Sequence, residues 1–308
     1  MKTSSNGIKK CRKGGNGMET RWLYHTSETF PSLVEEAKGV CVIPMGCVEK
    51  HGLHLPLGAD IMEASAIVYE ASKLETACVF PDFTFGDYCN AAPGQPAGTI
   101  TLPLETETLL LEQLCEQISR NGCKKILICN AHGGNKVWLS TFLRKLANKK
   151  RDFVCAVCTL PFSSTHKILA EQLLEKGSGA VPELSAEDEA YLLDFYNQGK
   201  TAGHACISET ALIMAIAPEA VHLDRLGIES GLSAHKTDYL NDVGIQIVNG
   251  GWDINYPNSY EGHDPVDCNE RIGRAALRVA AEKLARAIKV YKEDENVLKW
   301  HQEMQKGW

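Results

Sequence analysis

No apolar run in the 308-residue sequence reaches the roughly 20 residues that a bilayer-spanning helix needs, so no membrane partner is expected. A basic face is missing as well. The formal net charge is -7 and the body of the chain holds no Lys/Arg cluster, which turns the reading away from nucleic acid and toward small-molecule chemistry. The single basic stretch, Met1 to Gly17, carries Lys9, Lys10, Arg12 and Lys13 among glycines. It lacks the apolar core of a secretory signal and reads as a disordered tail over residues 1–20. Neither an internal repeat nor a clear linker follows, so residues 21–308 are expected to form one domain.

Cysteine is not scarce, but its pattern excludes a disulfide scaffold. The 12 cysteines are scattered, and Cys41, Cys78, Cys129 and Cys155 sit in apolar runs, where a free thiol behaves as a small hydrophobe. With no export signal, a reducing cytoplasm is the expected compartment. Cys155 and Cys158 form a lone C-x-x-C inside an apparent strand, Phe153 to Thr159. Positions three apart on a strand face opposite sides, so neither a redox nor a zinc role is expected of them.

Short apolar runs alternate with amphipathic stretches. Gly39 to Pro44, Ala77 to Pro81, Lys125 to Cys129 and Phe153 to Thr159 read as strands. Ile61 to Leu74, Thr106 to Arg120 and Val137 to Asn148 read as helices, with Asp60 as N-cap or first-turn residue of the first. Leu111, Leu114, Cys115 and Ile118 follow the i, i+3, i+4, i+7 spacing of an amphipathic helix that Gly122 stops. The alternation predicts an α/β fold in three layers, a mostly parallel sheet flanked by helices. Ser208 to Ala217 reads as a buried helix, Gly244 to Pro265 as a long functional loop and Asn269 to Tyr291 as a closing amphipathic helix.

The chemistry lies where such folds bind ligands, beyond the carboxyl ends of the strands. Glu49, His51, His54 and Asp60 follow the first strand. Imidazole and carboxylate together suit zinc, manganese or iron. Glu49 and His51 are two apart, so in an extended segment both point to one side. A polar loop with one satisfied structural histidine is the bland alternative. After the third strand, Asn130-Ala-His-Gly-Gly-Asn135 places His132 in a turn that can hold it at a metal. No Lys-Ser/Thr follows these glycines, which excludes a Walker-type phosphate loop. His204-Ala-Cys-Ile-Ser-Glu-Thr210 leads into the buried helix. There Glu209 could be an N-terminal carboxylate favoured by the helix dipole, and His204 a surface loop residue.

In this order and spacing the three segments resemble the creatininase family, from about Trp22 to the C-terminal helix. The resemblance implies two divalent metal ions bridged by Asp60, zinc paired with zinc, manganese or iron. Glu49 and His132 would hold one ion and His51 the other, with His204 as the catalytic histidine and His54 in a supporting role. Creatininase proper carries a Glu at the third place of its His-Gly-x-Asn block, where this chain has Gly134, and Glu209 is the candidate to replace it. No Trp occurs in Gln198 to Gly203, which argues against creatinine itself as substrate. The implied activity is hydrolysis of the C–N bond of a small cyclic amide or formamide by a hydroxide shared between the ions. Ring opening of an inosose-type ketone and a non-catalytic metal-binding scaffold are the alternatives. The family also implies a homo-oligomer, expected as a hexamer; Trp252, Tyr256 and Tyr260 would serve as interface anchors or line the pocket.

Overall fold

Four strands pair in parallel in the order β2-β1-β3-β4: β1 (Val40–Met45), β2 (Cys78–Val79), β3 (Lys125–Asn130) and β4 (Val154–Cys158). The structure is a computed structural model and describes residues 17–88, 96–158, 164–245, 247 and 250–307. Val42 pairs with Leu127, and Leu127 with Ala156. Every residue of β1 is buried, as expected of a strand covered on both faces.

The pleat sends alternate residues into two cores. Val40, Val42, Leu127 and Cys129 face a layer built by α2 (Ala59–Leu74), α5 (Thr165–Lys176), α6 (Ala186–Asn197), α7 (Ile207–Ile216) and α10 (Glu270–Glu293). Cys41, Ile43, Met45, Ile126 and Ile128 face α1 (Phe30–Glu36), α3 (Leu104–Arg120) and α4 (Asn135–Ala147). This is the three-layer α/β arrangement that the alternating pattern predicts. Cys158 joins the first core and Cys155 packs against the second, so the C-x-x-C pair is split by the sheet.

Two close approaches fix the helices that carry site residues. A Cβ on Gly46 would lie 2.6 Å from the Ile61 nitrogen, so glycine there lets the end of β1 press against the start of α2. A Cβ on Gly273 would lie 1.9 Å from the Ala211 carbonyl oxygen, so glycine also sets the contact between α10 and α7. The start of α10 is capped by Asn269, whose side chain accepts from the Arg271 and Ile272 amides.

The structure differs from the sequence reading in three places. Helices α5 and α6 fill a stretch for which no element is expected from the sequence pattern. The segment Gly244 to Pro265 is not all loop, because it contains the short helix α9 (Gly250–Asn255), which follows α8 (Asp238–Asn241). In the expected tail, residues 1–16 and Thr159 of the fourth predicted strand lie outside the described residues. Thr20 is buried and its hydroxyl meets Ser72 at 2.7 Å. A last helix, α11 (Val297–Met304), ends the chain. Among the described residues no helix is long and apolar enough to cross a membrane.

Candidate metal centre

The turn after β1 and the start of α2 bring Glu49, His51 and Asp60 together, each at most 2% exposed. Asp60 is the second residue of α2, near the positive end of the helix dipole, which favours its charge. The turn after β3 adds His132, also buried. His132 Nδ1 lies 2.7 Å from Glu49 Oε1 and 3.0 Å from Asp60 Oδ2. His51 Nε2 lies 3.1 Å from the other carboxylate oxygen, Asp60 Oδ1. One carboxylate thus faces two imidazoles through its two oxygens.

Each imidazole is oriented by a backbone carbonyl, which can only accept a proton. His132 Nε2 donates to the Asp87 carbonyl at 2.9 Å, His51 Nδ1 to that of Glu49 at 3.1 Å and His204 Nε2 to that of Lys50 at 2.8 Å. In the neutral rings this leaves a lone pair on His132 Nδ1, His51 Nε2 and His204 Nδ1, the tautomer that a metal-ligating histidine uses. The loop around His132 is held by Asn135, whose Oδ1 accepts from the Asp87 amide and from Trp138 Nε1, both at 2.8 Å. Its Nδ2 donates to Asn130 Oδ1 at 2.8 Å, and Asn130 Nδ2 reaches the His132 carbonyl at 2.7 Å. The two asparagines of the Asn-x-His-x-x-Asn segment therefore have a structural task.

Glu49 Oε1 and Asp60 Oδ2 are buried without a hydrogen-bond partner. Orphaned acceptors are costly in an interior and ask for a cation or a proton. Burial opposes charge on His51, but the carboxylates of Asp60, Glu49 and Glu209 prevail and push it up to about 10. His132 is raised well above its ordinary value in the same way, against its own burial, by Glu49 and Asp60. These protons occupy the positions where a divalent ion would bind, so the donor set fits a metal. Two three-residue groups have ligand atoms within 4.8 Å of one another: Glu49, Asp60 and His132, and Glu49, His51 and His204.

His204 and Glu209 come from the turn before α7 and from its first turn, in the same layer as α2. Ala205, with φ of 58, sits in the left-handed region between them and turns the chain into α7. His204 stacks on His51 with ring centroids 4.1 Å apart, and its Nδ1 is 3.8 Å from Glu49 Oε1. Burial, together with the charge of His51, pulls His204 down to about 4. Glu209 lies in the first turn of α7, 3.9 Å from His51 Nε2, and accepts the Ala205 amide. It therefore caps the chain locally and faces the site at once, although it belongs to neither three-residue group. Burial pushes its carboxyl up to about 7. His54 turns away, donating Nε2 to the Ala205 carbonyl at 2.9 Å, so it braces the His204 turn.

Two residues near the site escape the motif reading. Trp252, on α9, meets the His204 ring edge-on at 5.3 Å and donates Nε1 to Glu261 Oε2 at 2.7 Å. Glu63 is buried on α2 beside Asp60, its carboxyl pushed up by burial and by the charges of Glu209 and Asp60. Its signal was available, since Asp60, Glu63, Ala64, Ile67, Val68 and Ala71 form one buried stripe of α2. Tyr260 is 1% exposed, with its hydroxyl donating to Asp264 at 2.8 Å, so it is a core residue and no interface anchor.

A parallel α/β sheet with a buried His–carboxylate cluster beyond its strand ends defines the class of metal-dependent hydrolases. The family model described as creatinine amidohydrolase matches residues 24–288. The chain is 24% identical over 200 residues to creatinine amidohydrolase of Pseudomonas putida, covering 62% of this chain and 70% of that protein. It is 27% identical over 211 residues to the mycofactocin precursor peptide peptidase of Mycolicibacterium smegmatis, covering 62% and 83%. The crystal structure of creatinine amidohydrolase superposes with a TM-score of 0.65 at 18% identity, covering 90% of this chain and all, 100%, of that one. Similar solved structures include a manganese form and a Zn–Zn form of creatininase. The chain belongs to the creatininase family of metal-dependent amidohydrolases.

Proposed function

We propose that the chain hydrolyses the C–N bond of a small cyclic amide or formamide at a dinuclear metal site. The observation that carries this reading is the divided carboxylate of Asp60, with Oδ1 3.1 Å from His51 Nε2 and Oδ2 3.0 Å from His132 Nδ1. Glu49, Asp60 and His132 would hold one ion, and Asp60, His51 and Glu209 the other. Two divalent ions there would lower the pKa of water toward neutrality and polarise a substrate carbonyl.

The chain's own residues do the rest. His204, neutral and fixed through Nε2 to the Lys50 carbonyl, offers Nδ1 as the group that takes a proton and passes it to the leaving nitrogen. Trp252 walls the cleft beside it and suits a flat, conjugated substrate. Lys50, whose Nζ meets both Glu229 carboxylate oxygens at 2.8 Å, ties the ligand turn to the loop across it. The relation to a peptide peptidase supports a second reading, a small peptide amide.

Elemental analysis after metal-replete expression, with a panel of cyclic amides, formamides, short modified peptides and inososes, tests the proposal. Two ions per chain and turnover of an amide are expected. Less than one ion per chain, or turnover of inososes only, would refute it. We also propose a homo-oligomer, a hexamer as in the family reading. Ile228, Leu232, Tyr239, Val243, Ile245 and Ile254 are exposed on one stretch of chain around α8 and α9, an apolar run that suits a second copy.

A further inference from the structure

Three of the buried carboxylate oxygens without a hydrogen-bond partner belong to the short stretch from Glu49 to Glu63: Glu49 Oε1, Asp60 Oδ2 and Glu63 Oε1. The first two converge on His132 Nδ1 and belong to the first ion position. The third has no place there. Glu63 stands on α2 three residues after Asp60, so the two carboxyls share a helix face. The charges that act on it are those of Glu209, Asp60 and His51. A buried carboxyl with an idle oxygen is costly, and an apolar side chain would serve the helix packing better.

We propose that Glu63 is a positioning residue of the second metal position, where it acts with Glu209 to hold the ion beside His51, reaching it through a bound water. This inference rests on the dinuclear reading above. Three features support it. Gly134 leaves the His-Gly-Gly-Asn turn without a carboxylate. Glu209 Oε2, the oxygen 3.9 Å from His51 Nε2, is already engaged by the Ala205 amide. Glu63 belongs to neither three-residue ligand group, as expected of a residue that acts through the ligands. The α2 backbone that carries Asp60 also carries Glu63, so the position of this ligand is coupled to that of Glu63.

The test is calorimetric titration of metal-free protein with Zn²⁺, paired with thermal melts with and without Zn²⁺. The wild type is expected to take up two ions. Glu63→Gln should leave the tighter step unchanged and weaken the other by roughly 10–100-fold, the usual effect of losing a residue that orients a metal site. Glu63→Met should do the same. In the metal-free protein it should melt no lower than the wild type, because it removes an unpartnered buried carboxyl, and its Zn²⁺-induced rise in Tm should shrink. If both variants bind two ions with wild-type affinity, the inference is wrong while the dinuclear reading stands. Equal weakening of both steps with a lowered metal-free Tm would mark Glu63 as merely structural and overturn it too. A wild type that binds a single ion overturns both.

Discussion

The imidazoles of His51 and His204 stack at 29° with centroids 4.1 Å apart, yet the protein holds them at opposite ends of the histidine range. Asp60 meets His51 and pushes it up to about 10, whereas burial beside that charge pulls His204 down to about 4. Two stacked rings cannot both be charged in a dry site, and the carboxylates choose which one carries the proton. This difference supports the proposal of different tasks for them, a ligand position for His51 and a neutral proton acceptor for His204. In His204→Asn, metal content should stay intact while turnover falls by roughly 10²–10⁴-fold. The competing grouping of His204 with Glu49 and His51 predicts loss of an ion instead, and elemental analysis of the variant separates the two.

Glu209→Gln should lose the second ion or bind it weakly, because the 3.9 Å approach to His51 Nε2 comes from the carboxylate. If Glu209 only caps the start of α7, both ions should remain and stability should drop by about 1 kcal/mol. Metal stoichiometry and a urea melt on the same preparation decide between these outcomes.

Metal removal should reverse the pH dependence of stability. In the metal-free protein His51 is raised from 6.5 to about 10, so its contribution is fully present below about pH 6.5 and is lost as pH climbs through 10. The loaded protein should behave in the opposite sense in this range, since the ions need neutral imidazole and bind better as pH rises. Melting curves at pH 6, 8 and 10, with and without chelator, check both slopes. Parallel slopes in the two states would contradict the account.

Trp252→Ala should raise KM by about 10-fold if its ring packs on substrate, the scale of a lost aromatic contact. Metal content should not change. A fall in kcat at constant KM would show instead that Trp252 acts by steadying His204, whose ring it meets at 5.3 Å.

The exposed apolar residues around α8 and α9 predict self-association. Light scattering at micromolar concentration should give a closed oligomer, with six copies expected, and Val243→Asp with Tyr239→Asp should shift it toward smaller species. A wild-type monomer under these conditions would rule the interface out.

The strands and the long helices were legible because their patterns are local. The unbroken apolar run of Val40 to Met45 records a strand buried on both faces, and the spacing of Leu111, Cys115 and Ile118 records one buried helix face. Helices α5 and α6 were not, since their apolar residues are few per turn and acquire a face only against α7 and α10. Helix α9 hid among Gly, Asn and Trp, residues that favour a loop reading.

The sequence by itself determined the chemical inventory: Glu49, His51, Asp60, His132, His204 and Glu209 lie in three motifs whose spacing and order already mark a metal-dependent family. It also determined that Gly39 to Pro44 and Lys125 to Cys129 are buried strands followed by candidate ligands, because residue type and the length of an apolar run are properties of a single segment. Only the tertiary structure decided how Asp60 divides its oxygens between His51 and His132, since that depends on Gly46 letting α2 press on β1. It decided which nitrogen of each histidine faces inward, through carbonyls of Asp87, Glu49 and Lys50 that no side-chain pattern reports. It also brought Trp252 to His204 across a long stretch of chain, a contact that arises from packing and leaves no mark on local spacing.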